Sequence, residues 1–215
     1  MKPTGERADR KRQAIVTAAR EVFLRDGYSA GMDTIARAAD VSKVTVYNHF
    51  GSKDALFTAV VGDALDGALD GTLAAVRDRL GSPDEVTTTE EIRVALTGAA
   101  RAWVTGVNSP EVLELLHVVA AEMRVFPQLT QAWRERGPGR FYPLLEAYLE
   151  PLAERGELFI PDVTVAVLQL YALTLYPHLV ASLYGDKLRP DLDQWLIIYG
   201  VEMFLKFYRP TGAKP

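Results

Sequence analysis

The chain has 215 residues, no cysteine, 48% apolar residues and a formal net charge of −4. That length is ample for a buried core, and the lack of thiols excludes disulfides, thiolate metal sites and cysteine nucleophiles. No run approaches the ~20 uncharged apolar residues of a membrane span, and the charged N-terminus is no secretory signal, so a cytoplasmic protein without membrane contact is expected. The net charge argues against a protein that coats nucleic acid, but the charge is uneven. Residues 1–60 hold ten Lys/Arg against seven Asp/Glu, while the remainder holds 14 against 21. A basic head on an acidic body suits a two-domain DNA binder.

The first helix is predicted over about Asp9–Arg25, with Ile15, Ala18, Ala19, Val22 and Phe23 facing inward and Gly27 ending it. Arg7, Arg10, Lys11 and Arg12 precede or open it, where cations oppose the helix macrodipole. DNA phosphate or a solvated tail accounts for them equally. Gly27–Gly31 matches G-x-S-x-G, but a hydrolase elbow needs a preceding strand, and none is in the pattern. It reads as a helix–helix connection with Tyr28 packing inward.

Met32–Phe57 reads as a short helix, a tight turn and a second short helix. Ile35, Ala36 and Ala39 supply one apolar stripe, Val41 turns the corner inward, and Val46 and Phe50, four apart, anchor the second helix. Ser42 is a good N-cap, and Asp40 occupies the turn position that needs a left-handed backbone. Lys43, Thr45, Tyr47, Asn48 and His49 remain outside, a run of donors and acceptors on a helix small enough for a major groove. Lys53, one turn into the next helix, adds a cation. Thr34, on the leading helix, joins the candidate DNA contacts with Ser42.

The run 38–57, A-A-D-V-S-K-V-T-V-Y-N-H-F-G-S-K-D-A-L-F, resembles the DNA-binding signature of the TetR family of bacterial transcription regulators. The resemblance covers about the first quarter of the chain and includes the F-x-S-K-x-x-L exit. Two positions depart from it. The family commonly has Gly where Asp40 stands, and Thr or Ser where Gly31 stands.

A long helix is predicted from Ser52 to about Leu80, buried along Leu56, Val60, Ala64 or Leu65, Ala68 or Leu69, Leu73 and Val76. Gly62, Gly67 and Gly71 make it a candidate hinge. Asp63, Asp66 and Asp70 share a face, which reads as solvated because the spacing suits no metal loop. Gly81–Glu90 is the clearest linker. Helices follow at about Glu91–Val107, Pro110–Val125, Pro127–Arg136, Arg140–Arg155, Val163–Tyr184 and Leu192–Tyr208. No alternating strand pattern occurs, so the class is all-α: an N-terminal three-helix helix-turn-helix domain (residues 1–55) and a C-terminal helical bundle (56–215).

Leu115–Gly137, with its E-x-R-x-F-P-x-L run, and the later G-E-L resemble the AefR-like C-terminal domain of the TetR family. The resemblance implies effector binding and dimerisation. Residues 163–184 and 192–208 are apolar nearly all round and need cover on every side, which makes them the expected homodimer interface. Trp103, His117, Met123, Phe126, Trp133, Phe141, Tyr142, Tyr148, Tyr171 and His178 put large side chains in the body. For any one of them the core is the commoner place. Trp103, His117, Phe126, Tyr142, Tyr171 and His178 are the candidates to line an effector pocket, with Pro143, Pro151 and Pro177 breaking helices to open it.

The resemblance to the family implies a repressor that binds double-stranded palindromic operator DNA as a homodimer and is released by a small, largely apolar effector. No metal or cofactor is implied. The alternatives are a helical adaptor whose head binds protein and a helical enzyme, for which no catalytic constellation is present.

Overall fold

The computed structural model describes residues 5–122, 126–185 and 188–210; Met123, Arg124 and Val125 of the E-x-R-x-F-P-x-L run lie outside them. The helices are α1 (Glu6–Asp26), α2 (Met32–Ala38), α3 (Lys43–Phe50), α4 (Lys53–Leu80), α5 (Thr89–Val107), α6 (Pro110–Glu122), α7 (Pro127–Arg136), α8 (Tyr142–Glu154), α9 (Val163–Thr174), α10 (Tyr176–Leu183) and α11 (Pro190–Phe207). No strand occurs among the described residues, so the fold is all-α.

The head closes α1, α2 and α3 over the start of α4. Ile15, Val16, Ala19, Val22 and Phe23 meet Ile35, Ala36, Val46, Phe50, Leu56 and Phe57 in one buried cluster. Gly27 ends α1 at φ 66°, and its amide donates to the Phe23 carbonyl. The Ser29 hydroxyl donates to the Asp26 carbonyl, so the G-x-S-x-G run is a helix connection.

α4 is continuous through Gly62, Gly67 and Gly71 and carries the head into the body. It runs antiparallel to α5, because Gly98 lies against Arg79 while Gly106 lies against Thr72. A Cβ on Gly106 would sit 2.0 Å from Thr72 Oγ1, so this close approach requires glycine. The expected linker is shorter than predicted. Thr88 caps α5 through a full capping box with Glu91, moving the helix start to Thr89.

The aspartate face of α4 is not merely solvated. Asp66 pairs with Arg136 of α7 and with Arg140, Asp70 accepts from Arg140 at 2.6 Å, and Asp63 accepts from Gln13 of α1 at 2.9 Å. These contacts tie α1 and α7 to the connecting helix.

The predicted single helix over Val163–Tyr184 is two, α9 and α10, bent by 52° at Leu175. Pro177, in the first turn of α10, has no amide hydrogen for the preceding turn, so the chain restarts there. Pro143 likewise opens α8 and does not break it, whereas Pro151 lies inside it. No single described helix is long and apolar enough to cross a membrane; α9 and α10 reach that composition only together, across their bend.

Candidate nucleic-acid interface and effector chamber

Local chemistry builds the turn as the sequence predicts. Asp40 adopts φ 51°, the left-handed backbone that turns α2 into α3. Ser42 caps α3, its side chain accepting from the Thr45 amide at 3.1 Å and sharing a 2.8 Å hydrogen bond with the Thr45 hydroxyl. Val46 and Phe50 are buried, which turns the opposite face of α3 outward. Ser42, Lys43, Tyr47 and Asn48 are exposed on it, and Thr45 and His49 are half-buried at its margins.

Three details refine the expected contacts. Lys43 is paired with Asp33 of α2 at 2.9 Å, and that carboxylate raises its pKa first through the hydrogen bond and then through charge. Thr34 is half-buried in the first turn of α2, whose N-cap, Gly31, supplies no side-chain bond. The Lys53 ammonium lies 4.4 Å from the centroid of the Tyr28 ring.

Val44 was not among the expected contacts. It is 67% exposed on the same face of α3, beside Lys43 and Tyr47. A signal for it existed in the sequence: Val44 and Val46 are two apart, and residues so spaced cannot share one buried helix face. Val44 gives this otherwise polar face one exposed apolar group.

The candidate effector residues do not converge on one cavity. Trp103 stacks on Phe141 at 4.5 Å, with Tyr142 at 6.4 Å and Tyr171 at 5.6 Å from the indole. Burial raises the pKa of both tyrosines, Tyr171 most of all. A chamber of about 10 Å³ lies beside this cluster, lined by Trp103, Tyr171, Thr174 and Leu175 among others. That is room for about one water molecule and too little for an effector. Tyr148, buried on α8, keeps its hydroxyl without a hydrogen-bond partner among the described residues.

His117 and His178 belong to separate polar links. His117 Nε2 is 3.0 Å from the Ser182 carbonyl, and the Ser182 hydroxyl donates to Asn108, joining α6 and α10 to the end of α5. His178 is 2% exposed and its Nδ1 lies 2.7 Å from Asp193 of α11. Burial lowers the His178 pKa more than Asp193 raises it, so the ring is neutral at pH 7 and donates an Nδ1–H to the carboxylate. Its Nε2 is buried without a partner among the described residues. Phe126, expected in the pocket, is instead buried against the head: its ring lies 4.3 Å from Tyr28 and 6.3 Å from Phe57. Pro127 starts α7 one residue later and turns Phe126 away from the aromatic cluster.

α9, α10 and α11 leave one apolar face uncovered. Leu192, Trp195, Tyr199, Met203 and Phe207 form a stripe along α11, each at least 40% exposed, with Val165, Leu168 and Tyr176 exposed on α9 and α10. Gly200 lets α9 and α11 touch, since a Cβ there would lie 2.8 Å from the Leu173 carbonyl oxygen.

Residues 15–60 match the family model for bacterial regulatory proteins of the tetR family, and residues 94–210 match that for the C-terminal domain of AefR-like transcriptional repressors. Among curated proteins, the activator FasR of Mycolicibacterium smegmatis is 44% identical over 70 residues, 32% of each chain. The regulator AlkX of Mycobacterium tuberculosis is 28% identical over 133 residues, 57% of this chain and 63% of that one. These matches span less than two thirds of either relative. Among solved structures, a Mesorhizobium loti protein described as a TetR-family transcriptional regulator superposes with a TM-score of 0.76 at 26% identity, covering 95% of this chain and all of that one. The flavonoid-responsive regulator FrrA gives 0.73 at 27% identity with the same coverage.

Proposed function

This chain belongs to the tetR family of bacterial regulatory proteins, in the branch with an AefR-like C-terminal domain, and from that premise we propose that it is a repressor that binds a palindromic operator as a homodimer and leaves it when a small, largely apolar effector enters the body. As a member of the family it is a DNA-binding transcriptional regulator and not an enzyme. The finer assignments are our reading. Residues 1–55 bind DNA, residues 56–215 bind effector and dimerise, and α4 joins the two.

The observation that carries the reading is a single chain with two unsatisfied surfaces, the exposed polar face of α3 and the uncovered apolar stripe of α11. Pairing two copies through α9–α11 covers the second and doubles the first, which is what a palindrome with half-sites about 34–36 Å apart requires. On the operator, Thr45, Tyr47, Asn48 and His49 face base edges, while Thr34, Ser42, Lys43 and Lys53 face phosphate. Lys43 exchanges Asp33 for phosphate on binding. The stacked Trp103–Phe141 pair, with Tyr142 and Tyr171 beside it, supports an aromatic effector, and a structural neighbour is flavonoid-responsive. Effector that prefers the opened chamber shifts the dimer toward the conformation with mismatched heads. FasR is an activator, but its match covers only 32% of this chain.

Selection of bound DNA from a random pool, followed by salt titration, tests the proposal. An enriched inverted repeat is expected, with affinity falling about 10³–10⁵-fold between about 50 and 200 mM salt if about 6–10 phosphates are contacted. A folded, dimeric protein that enriches nothing overturns DNA recognition. A promoter reporter whose output rises on deletion supports repression, and one whose output falls establishes activation.

A further inference from the structure

The F-P turn of the body reaches the head directly. Phe126 is 7% exposed in a nest whose other rings are Phe23, Tyr28 and Phe57: Phe57 lies 5.1 Å from Tyr28 and 4.9 Å from Phe23. Three of these rings come from α1, the α1–α2 loop and the first turns of α4. The fourth arrives from about 70 residues further along the chain. Pro127 fixes its approach, because the residue before a proline is kept out of the helical region, and Phe126 accordingly has φ −121° and ψ 84°.

Tyr28 carries the contact onward. Its hydroxyl donates to the Asp54 carboxylate, and its ring lies under the Lys53 ammonium. Burial and then Asp54 push the Tyr28 pKa up to about 12, so the hydroxyl remains a donor at any physiological pH. Lys53 and Asp54 are the first two residues of α4, just after the Ser52 cap. The other end of α7 is fixed as well, by Arg136 against Asp66 and Gly62 of α4. α7 is thus a bar about 15 Å long, seated on the head at one end and on the middle of α4 at the other.

We propose that Phe126 is a positioning residue for DNA contact: through Tyr28 it sets where Lys53, at the start of α4, stands relative to the phosphate backbone. A shift of α7 then alters the head directly, beside any swing of α4 itself. The inference rests on the DNA-binding reading above.

The test uses the full-length protein with Phe126→Ala, Tyr28→Phe and Lys53→Gln, and measures affinity for the selected operator against salt. Lys53→Gln should lower the slope of log affinity on log salt by about one per head. Phe126→Ala should lower it equally, Tyr28→Phe should act in the same direction, and the Phe126/Lys53 double variant should lose nothing more. A Phe126→Ala protein of lower Tm but wild-type salt slope, or effects that add in the double variant, overturns the proposal. If Phe126→Ala fails to fold, Phe126→Leu keeps most of the bulk and is read in the same way. Hydrogen exchange without DNA separates the two readings. Amides of residues 28–31 and 53–57 should exchange faster in Phe126→Ala while those of α9 and α11 hold; no change at 28–31 and 53–57 overturns the coupling. Faster exchange at those residues in a protein whose wild type selects no operator leaves the coupling standing and overturns DNA binding instead.

Discussion

The Ser42 side chain accepts from the Thr45 amide, which also donates to the Ser42 carbonyl at 2.9 Å, and this closes the first turn of α3 at the edge of the face proposed to meet DNA. Ser42→Ala should cost about 1 kcal/mol of stability in denaturant titration, with a further loss of operator affinity. Val44 is a separate case. Its exposed methyl groups lose little stability when removed, so Val44→Ala should leave Tm unchanged while, if Val44 meets a thymine methyl as its exposure on α3 suits, weakening the preference for thymine at one position of each half-site by about 1 kcal/mol. Repeating the random-pool selection with the variant measures that. His178 adds a pH dependence. Its folded pKa lies below the ordinary 6.5, so the folded state binds fewer protons than the unfolded state as pH falls through that value. Stability is therefore complete above about pH 6.5 and declines on acidification. His178→Asn, which keeps a donor toward Asp193, should flatten this part of the curve of stability against pH.

At the scale of elements, the meeting of α4 and α5 sets the tightest steric demand. Gly106→Ala drives a methyl group into Thr72, and about 1–3 kcal/mol of destabilisation is expected in thermal or urea unfolding. Nothing in the sequence near Gly106 announces this, because the partner is more than thirty residues away. The same limit explains Phe126 and the α4 aspartates. Local signals were sufficient for the helix-turn-helix: Ser42, Asp40, Val46 and Phe50 each state their role within a turn of chain, and each is where that role places it. Pro177 was visible as a break, yet the run around it was apolar enough to be read as one helix. Size and polarity single out the candidate effector residues in the sequence. Only Trp103, Tyr142 and Tyr171 share a cluster, since neither property says which side chains meet across a bundle.

For the whole molecule, the proposed dimer rests on the exposed α11 stripe. Trp195→Glu places a charge in this apolar stripe, where a two-fold contact through α11 would bury it. Sedimentation should show a folded monomer, and operator affinity should fall by orders of magnitude because one head alone holds about half the contacts. A dimer that survives this change would move the interface away from α11. On the proposed DNA-binding reading, the basic head and acidic body have a simple role: the body repels the duplex while the head engages it, which orients the approach.

The small chamber beside Trp103 has a further consequence for the proposed effector response. If the effector enters beside Trp103, as proposed, it must part side chains that hold the body together, and detection threshold and thermal resilience then draw on the same packing. Trimming the lining, as in Leu170→Ala, should make the regulator respond at lower effector concentration and unfold at lower temperature. Descendants of this chain can thus become more sensitive without gaining a single new contact to the compound they detect.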